Sequence, residues 1–191
     1  MKPSILALAI LCTLTPTARS APNDGIVGAY ARVEVGRSHF ALSNTSPQMG
    51  SNDHANAVKL FGGYRFDEHL GVEMGYAALG SFGESAVLGA ASARQDLKAR
   101  SAFTAVTGKL PVRDSFALHG RLGLSSGKVS GTDLQPPGDA LTGSKTSVLF
   151  DVGVEYRPRS NLALTLNYDS YGKLSNQVKA SALVLGLHFT L

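Results

Sequence analysis

The stretch Leu183-Val184-Leu185-Gly186-Leu187-His188-Phe189-Thr190-Leu191 decides the fold. Successive side chains of a strand point to opposite faces. Leu183, Leu185, Leu187, Phe189 and Leu191 therefore share one face, against Val184, Gly186, His188 and Thr190 on the other. One face is wholly apolar, and the other is small or polar.

The same alternation recurs along the chain. In 146–156, Val148, Phe150, Val152, Val154 and Tyr156 oppose Asp151, Gly153 and Glu155. In 161–169, Leu162, Leu164, Leu166 and Tyr168 oppose Ala163, Thr165, Asn167 and Asp169. In 116–125, Phe116, Leu118, Leu122 and Leu124 oppose Ala117, His119, Arg121 and Gly123. Earlier, Val27, Ala29, Ala31, Val33 and Val35 oppose Gly28, Tyr30, Arg32, Glu34 and Gly36. Val58, Leu60, Tyr64 and Phe66 oppose Lys59, Phe61 and Arg65, and Val72, Met74 and Tyr76 oppose Gly71, Glu73 and Gly75. Segment 101–110 is weaker, with only Val106 and Leu110 as large outward residues. The segments predict eight strands, an even number as closure of a bacterial membrane barrel requires. The expected fold is all-β, an eight-stranded antiparallel up-and-down transmembrane β-barrel.

A soluble sandwich or lipocalin-like barrel also alternates, but its apolar face is the inside. Here the opposite face carries glycines and charges of both signs, which suits an enclosed polar lumen behind a lipid-facing apolar wall. Short turns are expected at Asp67-Glu68-His69, Pro111 to Ser115 and Arg157 to Ser160. Long loops are expected over roughly 38–56, 78–100, 126–145 and 170–180, rich in Gly, Ser, Asn, Ala and Pro. Short periplasmic turns and long outer loops put both termini in the periplasm.

The first twenty residues read as a secretory signal, so the organisation is signal peptide over 1–20 and barrel domain over 21–191. Lys2 supplies the charge, Ile5 to Leu14 the apolar stretch, and Ala18-Arg19-Ser20 the small residues before a cut after Ser20. The apolar run is shorter than the roughly 20 residues a spanning helix needs. Cys12, the only cysteine, lies in this leader behind bulky Leu11, unlike a lipoprotein signal. The mature chain then has no disulfide or thiol chemistry. Removing Lys2 and Arg19 leaves 16 basic and 14 acidic residues, a net charge of +2. That excludes a nucleic-acid-binding charge pattern.

Gly62-Gly63-Tyr64-Arg65-Phe66 followed by Leu70-Gly71-Val72-Glu73-Met74-Gly75-Tyr76 resembles the second and third strands of the OmpA-like outer-membrane β-barrel family. Arg121-Leu122-Gly123 and Gly153-Val154-Glu155-Tyr156 are similar to its fifth and sixth strands. The last strand is similar too, with Leu191 at its end and Phe189 carrying the aromatic. The resemblance covers the mature chain and extends to small barrels of the OmpA and OmpX type. It implies a Gram-negative outer-membrane location and no enzymatic activity or cofactor. Because the chain stops at the last strand, a periplasmic peptidoglycan-binding domain is not expected. Glu73 and Glu155 match the family's two lumen carboxylates, whereas the matching basic positions hold Thr107 and Thr165.

The inward set predicts a structural polar network of Arg32, Glu34, Lys59, Glu73, Arg121, Asp151, Glu155 and His188. An eight-stranded barrel leaves room only for side chains, and charges enclosed there must be paired. Arg121, helped by Arg32 and Lys59, is the expected partner of Glu73. A narrow low-conductance channel is the alternative. A lipid-modifying enzyme is a weaker one. Similar barrels that deacylate lipid A use a histidine two residues before a serine, and none of His39, His54, His69, His119 and His188 has one there. No catalytic residue is assigned. Asp53-His54 and Glu68-His69 are adjacent pairs, which a strand splits between faces, so no metal site is expected either.

Function is thereby left to the loops. The resemblance implies a structural or surface-interaction role: envelope integrity, with adhesion or serum resistance through the four loops. Expected partners are outer-membrane lipid and lipopolysaccharide, the barrel-assembly machinery through the C-terminal strand, and an unidentified outer ligand of the loops, with no nucleic acid.

Overall fold

The computed structural model describes residues 27–42, 51–88, 91–94, 96–113, 115–132, 140–159 and 162–190. The expected leader with Cys12, and Leu191, lie outside them. The strands are β1 (Gly28–Leu42), β2 (Ser51–Asn52), β3 (His54–Arg65), β4 (Leu70–Leu88), β5 (Ala91–Arg94), β6 (Asp96–Arg113), β7 (Phe116–Thr132), β8 (Gly143–Arg159), β9 (Leu162–Lys173) and β10 (Val178–Thr190). Eight of them form a closed antiparallel up-and-down barrel, each pairing with the next in sequence. β1 and β10 close the ring with Tyr30 opposite Thr190 through Leu42 opposite Val178. β2 and β5 are short additions paired to the outer part of β4. Closure satisfies the backbone of every barrel strand, which is what lets a sheet sit in lipid.

The outward side is as the alternation predicts. Val33, Val35, Val58, Leu60, Val72, Met74, Leu122, Leu124, Phe150, Val152, Leu164, Leu166, Leu183 and Leu185 all stand exposed on the wall. At the end where β1 begins and β10 finishes, here the turn end, the Tyr64 ring lies tilted against Phe66 and Phe116 against Tyr156, ring centroids 5.7 and 4.9 Å apart. Aromatic pairs at the rim of an apolar band are the girdle expected at a membrane interface. The Asp67 turn is closed locally. Its Oδ1 accepts from the backbone N–H of His69 and of Leu70, both at 2.7 Å. Those two donors hold the Asp67 carboxyl below the usual carboxylate range.

At the opposite, loop end the structure corrects two expectations. Much of the four segments expected as long loops is strand. β1 runs to Leu42, β4 to Leu88, β7 to Thr132 and β9 to Lys173, while β6 begins at Asp96 and β10 at Val178. The last of these connections is a tight turn in which Leu174 N–H donates to Val178 C=O at 2.8 Å. The strands of up to 19 residues (β4) exceed the roughly 9–11 that cross a bilayer, so the barrel stands out beyond the apolar band.

Two bulges interrupt the alternation at this end. The register shifts between Ala78 and Gly80 on β4 and opposite Ala180/Ser181 on β9–β10, leaving Leu79 and Tyr171 as the extra residues. Gly80 (φ 90°) and Gly172 (φ 63°) follow them with the positive φ that glycine adopts freely. A bulge sets two residues against one and re-aims the side chains beyond it. On β4 the inward parity passes from Ala77 and Leu79 to Phe82.

The second correction concerns the interior. The inward face was expected to be small or polar, yet its loop-end part is apolar. Phe40, Leu79, Phe82, Leu97, Val129, Leu149, Tyr171, Leu174 and Val178 pack together there, with Leu79, Leu97 and Leu174 wholly buried. Phe40 and Phe82 stack at 4.2 Å. The barrel therefore holds a hydrophobic plug above its polar network.

Candidate functional site: the filled lumen

The eight residues expected in the polar network are all buried inside the barrel, and the fold brings them into one connected set. Glu34 on β1 sits at its centre. Its Oε1 accepts from Arg121 Nη2 at 3.0 Å and from Asn167 Nδ2 at 2.5 Å, while Lys59 Nζ lies 2.5 Å from Oε2. Arg121 on β7 also reaches Glu73 on β4 (Nε to Oε2, 3.1 Å) and Asp151 on β8 (Nε to Oδ1, 3.3 Å). It thus meets three carboxylates across the lumen, Glu73 among them. Its guanidinium lies 4.6 Å from the centroid of the Phe61 ring, which replaces part of the lost hydration by a cation–π contact.

Around this hub the remaining charges are shared. Lys59 also meets Asp169 at 2.5 Å, and Tyr171 OH donates to the same carboxylate at 3.1 Å. Glu155 on β8 takes Lys109 and, at 2.9 Å, Arg157 Nη2, with Arg32 Nη2 at 3.5 Å. Arg32 Nη2 donates to His188 Nδ1 at 3.0 Å, and its Nη1 lies 3.7 Å from Glu34. Tyr30 OH donates to Glu73. The backbone makes room for these groups. At Gly63 a Cβ would fall 2.6 Å from the Tyr30 ring, and at Gly186 one would fall 2.6 Å from Glu34 Cγ.

Thr107 and Thr165 are buried in the wall, and other residues supply the positive charge that the family's pattern puts at those positions. For Glu73 it comes from Arg121, and for Glu155 from Lys109. The alternation that turns Phe103, Ala105 and Thr107 inward also reaches Lys109, so parity within the weak segment 101–110 could have found it. Arg65, Asp169 and Tyr30 were legible as inward residues but were not joined to the network. Glu34, Glu73, Asp151, Glu155 and Asp169 then face Arg32, Lys59, Arg65, Lys109 and Arg121, with Arg157 added at the turn end. Isolated buried charges would be heavily penalised; paired ones are tolerated.

At the turn end a cleft of about 300 Å³, lined by Glu68, Lys109, Arg113, Phe116, Glu155 and Arg157, opens onto this network. Towards the loop end the apolar plug lies above the network. Among the described residues, one further cluster lies outside the barrel wall. Asp53 and His54, expected on opposite faces, converge with His39 at the loop end of β1 and β3.

The family model described as "Outer membrane protein beta-barrel domain" matches residues 4–190. Of solved structures, Neisserial surface protein A is similar at 18% identity and a TM-score of 0.58, over 86% of this chain and 97% of that one. OprG from Pseudomonas aeruginosa is similar at 14% identity and 0.56, over 86% and 97%. Ail, the attachment invasion locus protein of Yersinia pestis, is similar at 18% identity and 0.54, over 85% and 97%. At such identities these show a shared fold. A search of curated protein sequences finds no match. With the family model spanning nearly the whole chain, and an eight-stranded closed barrel beneath it, the protein belongs to the outer-membrane β-barrel family that includes the small OmpA-like barrels.

Proposed function

We propose that this is a closed outer-membrane barrel that acts through its wall and its loop-end rim, with neither a transport path nor a catalytic centre. The filled interior carries the reading. A paired charge network occupies the middle of the lumen and an apolar plug lies above it, so an ion would have to displace both. In this reading residues 1–20 are removed after export, the termini face the periplasm, and β10 is the strand offered to the assembly machinery. Planar-bilayer recording of the purified barrel tests it. A silent barrel is expected, and reproducible discrete conductance steps would overturn it in favour of a narrow channel.

The rim supports a partner. Arg37, Lys98, Arg100, Lys128 and Lys179 are exposed on the outer face, each loopward of the last large outward-facing apolar residue of its strand. Arg100 and Lys128 stand directly opposite each other on β6 and β7. Like charges so paired are unfavourable unless an anion lies between them, and the phosphates of lipopolysaccharide are the anions of an outer leaflet. Added lipopolysaccharide is expected to raise the melting temperature of the micelle-folded barrel, as a ligand of the native state must. Replacing Arg37, Arg100, Lys128 and Lys179 by Gln is expected to remove that rise. An unchanged rise in the variant would dismiss the collar.

A further inference from the structure

The site rests on the pairing of β1 with β3. His39 and His54 are cross-strand neighbours on the outer face. One step loopward, Phe40 N–H donates to Asp53 C=O at 2.8 Å, which makes His39–His54 a non-hydrogen-bonded pair, the kind whose side chains lie closest. Their ring centroids are 4.9 Å apart. Asp53 lies just before β3, and its carboxylate bridges the two rings. Oδ2 is 3.2 Å from His39 Nε2 and Oδ1 is 2.6 Å from His54 Nδ1. All three ligand atoms fall within 4.8 Å of one another. The side chains are 48, 39 and 49% exposed, so an ion can reach them from water.

We propose that His39, Asp53 and His54 bind a borderline divalent transition-metal ion, Zn²⁺ or Cu²⁺, on the outer face of the barrel. Two imidazoles and one carboxylate are the donor set such ions take, at about 2.0–2.2 Å each. Around a tetrahedral ion that bond length sets neighbouring ligand atoms roughly 3.3 Å apart. His39 faces Oδ2 at 3.2 Å and His54 faces Oδ1 at 2.6 Å, so the carboxylate turns as the ion enters and presents one oxygen to it beside the two rings. The hard ions Ca²⁺ and Mg²⁺ prefer all-oxygen shells and are not expected to compete. The fourth position faces solvent and takes water. Occupied, the site ties the segment before β3 to the end of β1.

The test is titration of the purified, untagged barrel in detergent micelles with Zn²⁺ by calorimetry and with Cu²⁺ by electron paramagnetic resonance. One ion per chain is expected, Cu²⁺ tighter than Zn²⁺, with a copper spectrum split by two nitrogens. His39→Ala and His54→Ala are each expected to weaken binding by at least the roughly 10–100-fold that even outer-shell changes cost, and His69→Ala, at the turn end, not at all. Heat-modifiable gel mobility confirms that each variant is folded. Binding that survives in the double variant, or falls equally in His69→Ala, overturns the site. So does no binding up to about 1 mM metal, the range of a few kcal/mol of affinity.

Discussion

Arg121→Ala is expected to destabilise the folded barrel by about 3–5 kcal/mol, the cost of leaving buried charge without its partner. The side chain meets Glu34, Glu73 and Asp151 within 3.3 Å, so its loss strands three carboxylates. Lys59 and Arg32 remain near Glu34, and Tyr30 still donates to Glu73, but among the described residues Arg121 is the guanidinium that reaches Glu73 and Asp151. Adding Glu73→Ala to Arg121→Ala is expected to recover part of the loss, with Glu34 and Asp151 accounting for the rest. Reversible urea unfolding from lipid vesicles, run as a double-mutant cycle, measures the coupling. Strictly additive losses would detach Glu73 from Arg121.

The second large effect is on the wall. Leu166→Arg, on the outer face of β9, is expected to cost about 2–4 kcal/mol, the range for a cation forced into the middle of the apolar band. Its neighbour Thr165 points the other way and is buried against Gly186, where an added Cβ would come 2.5 Å from Thr165 Oγ1. An arginine there would overfill the lumen, so the informative control is Thr165→Ser. It should cost only the roughly 0.5–1.5 kcal/mol of a deleted methyl group. Equal losses in the two variants, in the same unfolding experiment, would mean that the assigned facing of β9 is wrong.

The wall was legible in the sequence because lipid demands large apolar residues at every second position, and Leu183, Leu185 and Leu187 supply them without interruption. The polar network was legible for the same reason in reverse, since Arg32, Glu34, Glu73 and Asp151 interrupt the apolar residues at the other parity. What escaped lies beyond the apolar band. There outward residues such as Arg37, Arg100 and Lys128 meet water or headgroups, so strand reads like loop. The bulges at Leu79 and Tyr171 also shift parity, which hid Phe82 and Leu174 as interior residues. Lys109 was overlooked because its segment offers only Val106 and Leu110 as large outward residues, while Ala102 and Thr104 give no apolar stripe to count against. The histidine cluster needed the β1–β3 register, and sequence alone does not fix register between strands separated by a loop.

The central claim is that the lumen is closed by side chains and that facing alternates through the loop-end half of the strands. Single-cysteine labelling tests it most directly, in a background with Cys12 replaced by Ser. Leu97 is wholly buried and its neighbour Lys98 is exposed. In the folded barrel, Leu97→Cys is expected to resist a polar, membrane-impermeant maleimide until urea unfolds the protein, while Lys98→Cys reacts at once. Labelling of Leu97→Cys in the folded state at the rate of Lys98→Cys would contradict the account, because it would mean that water reaches the middle of the plug.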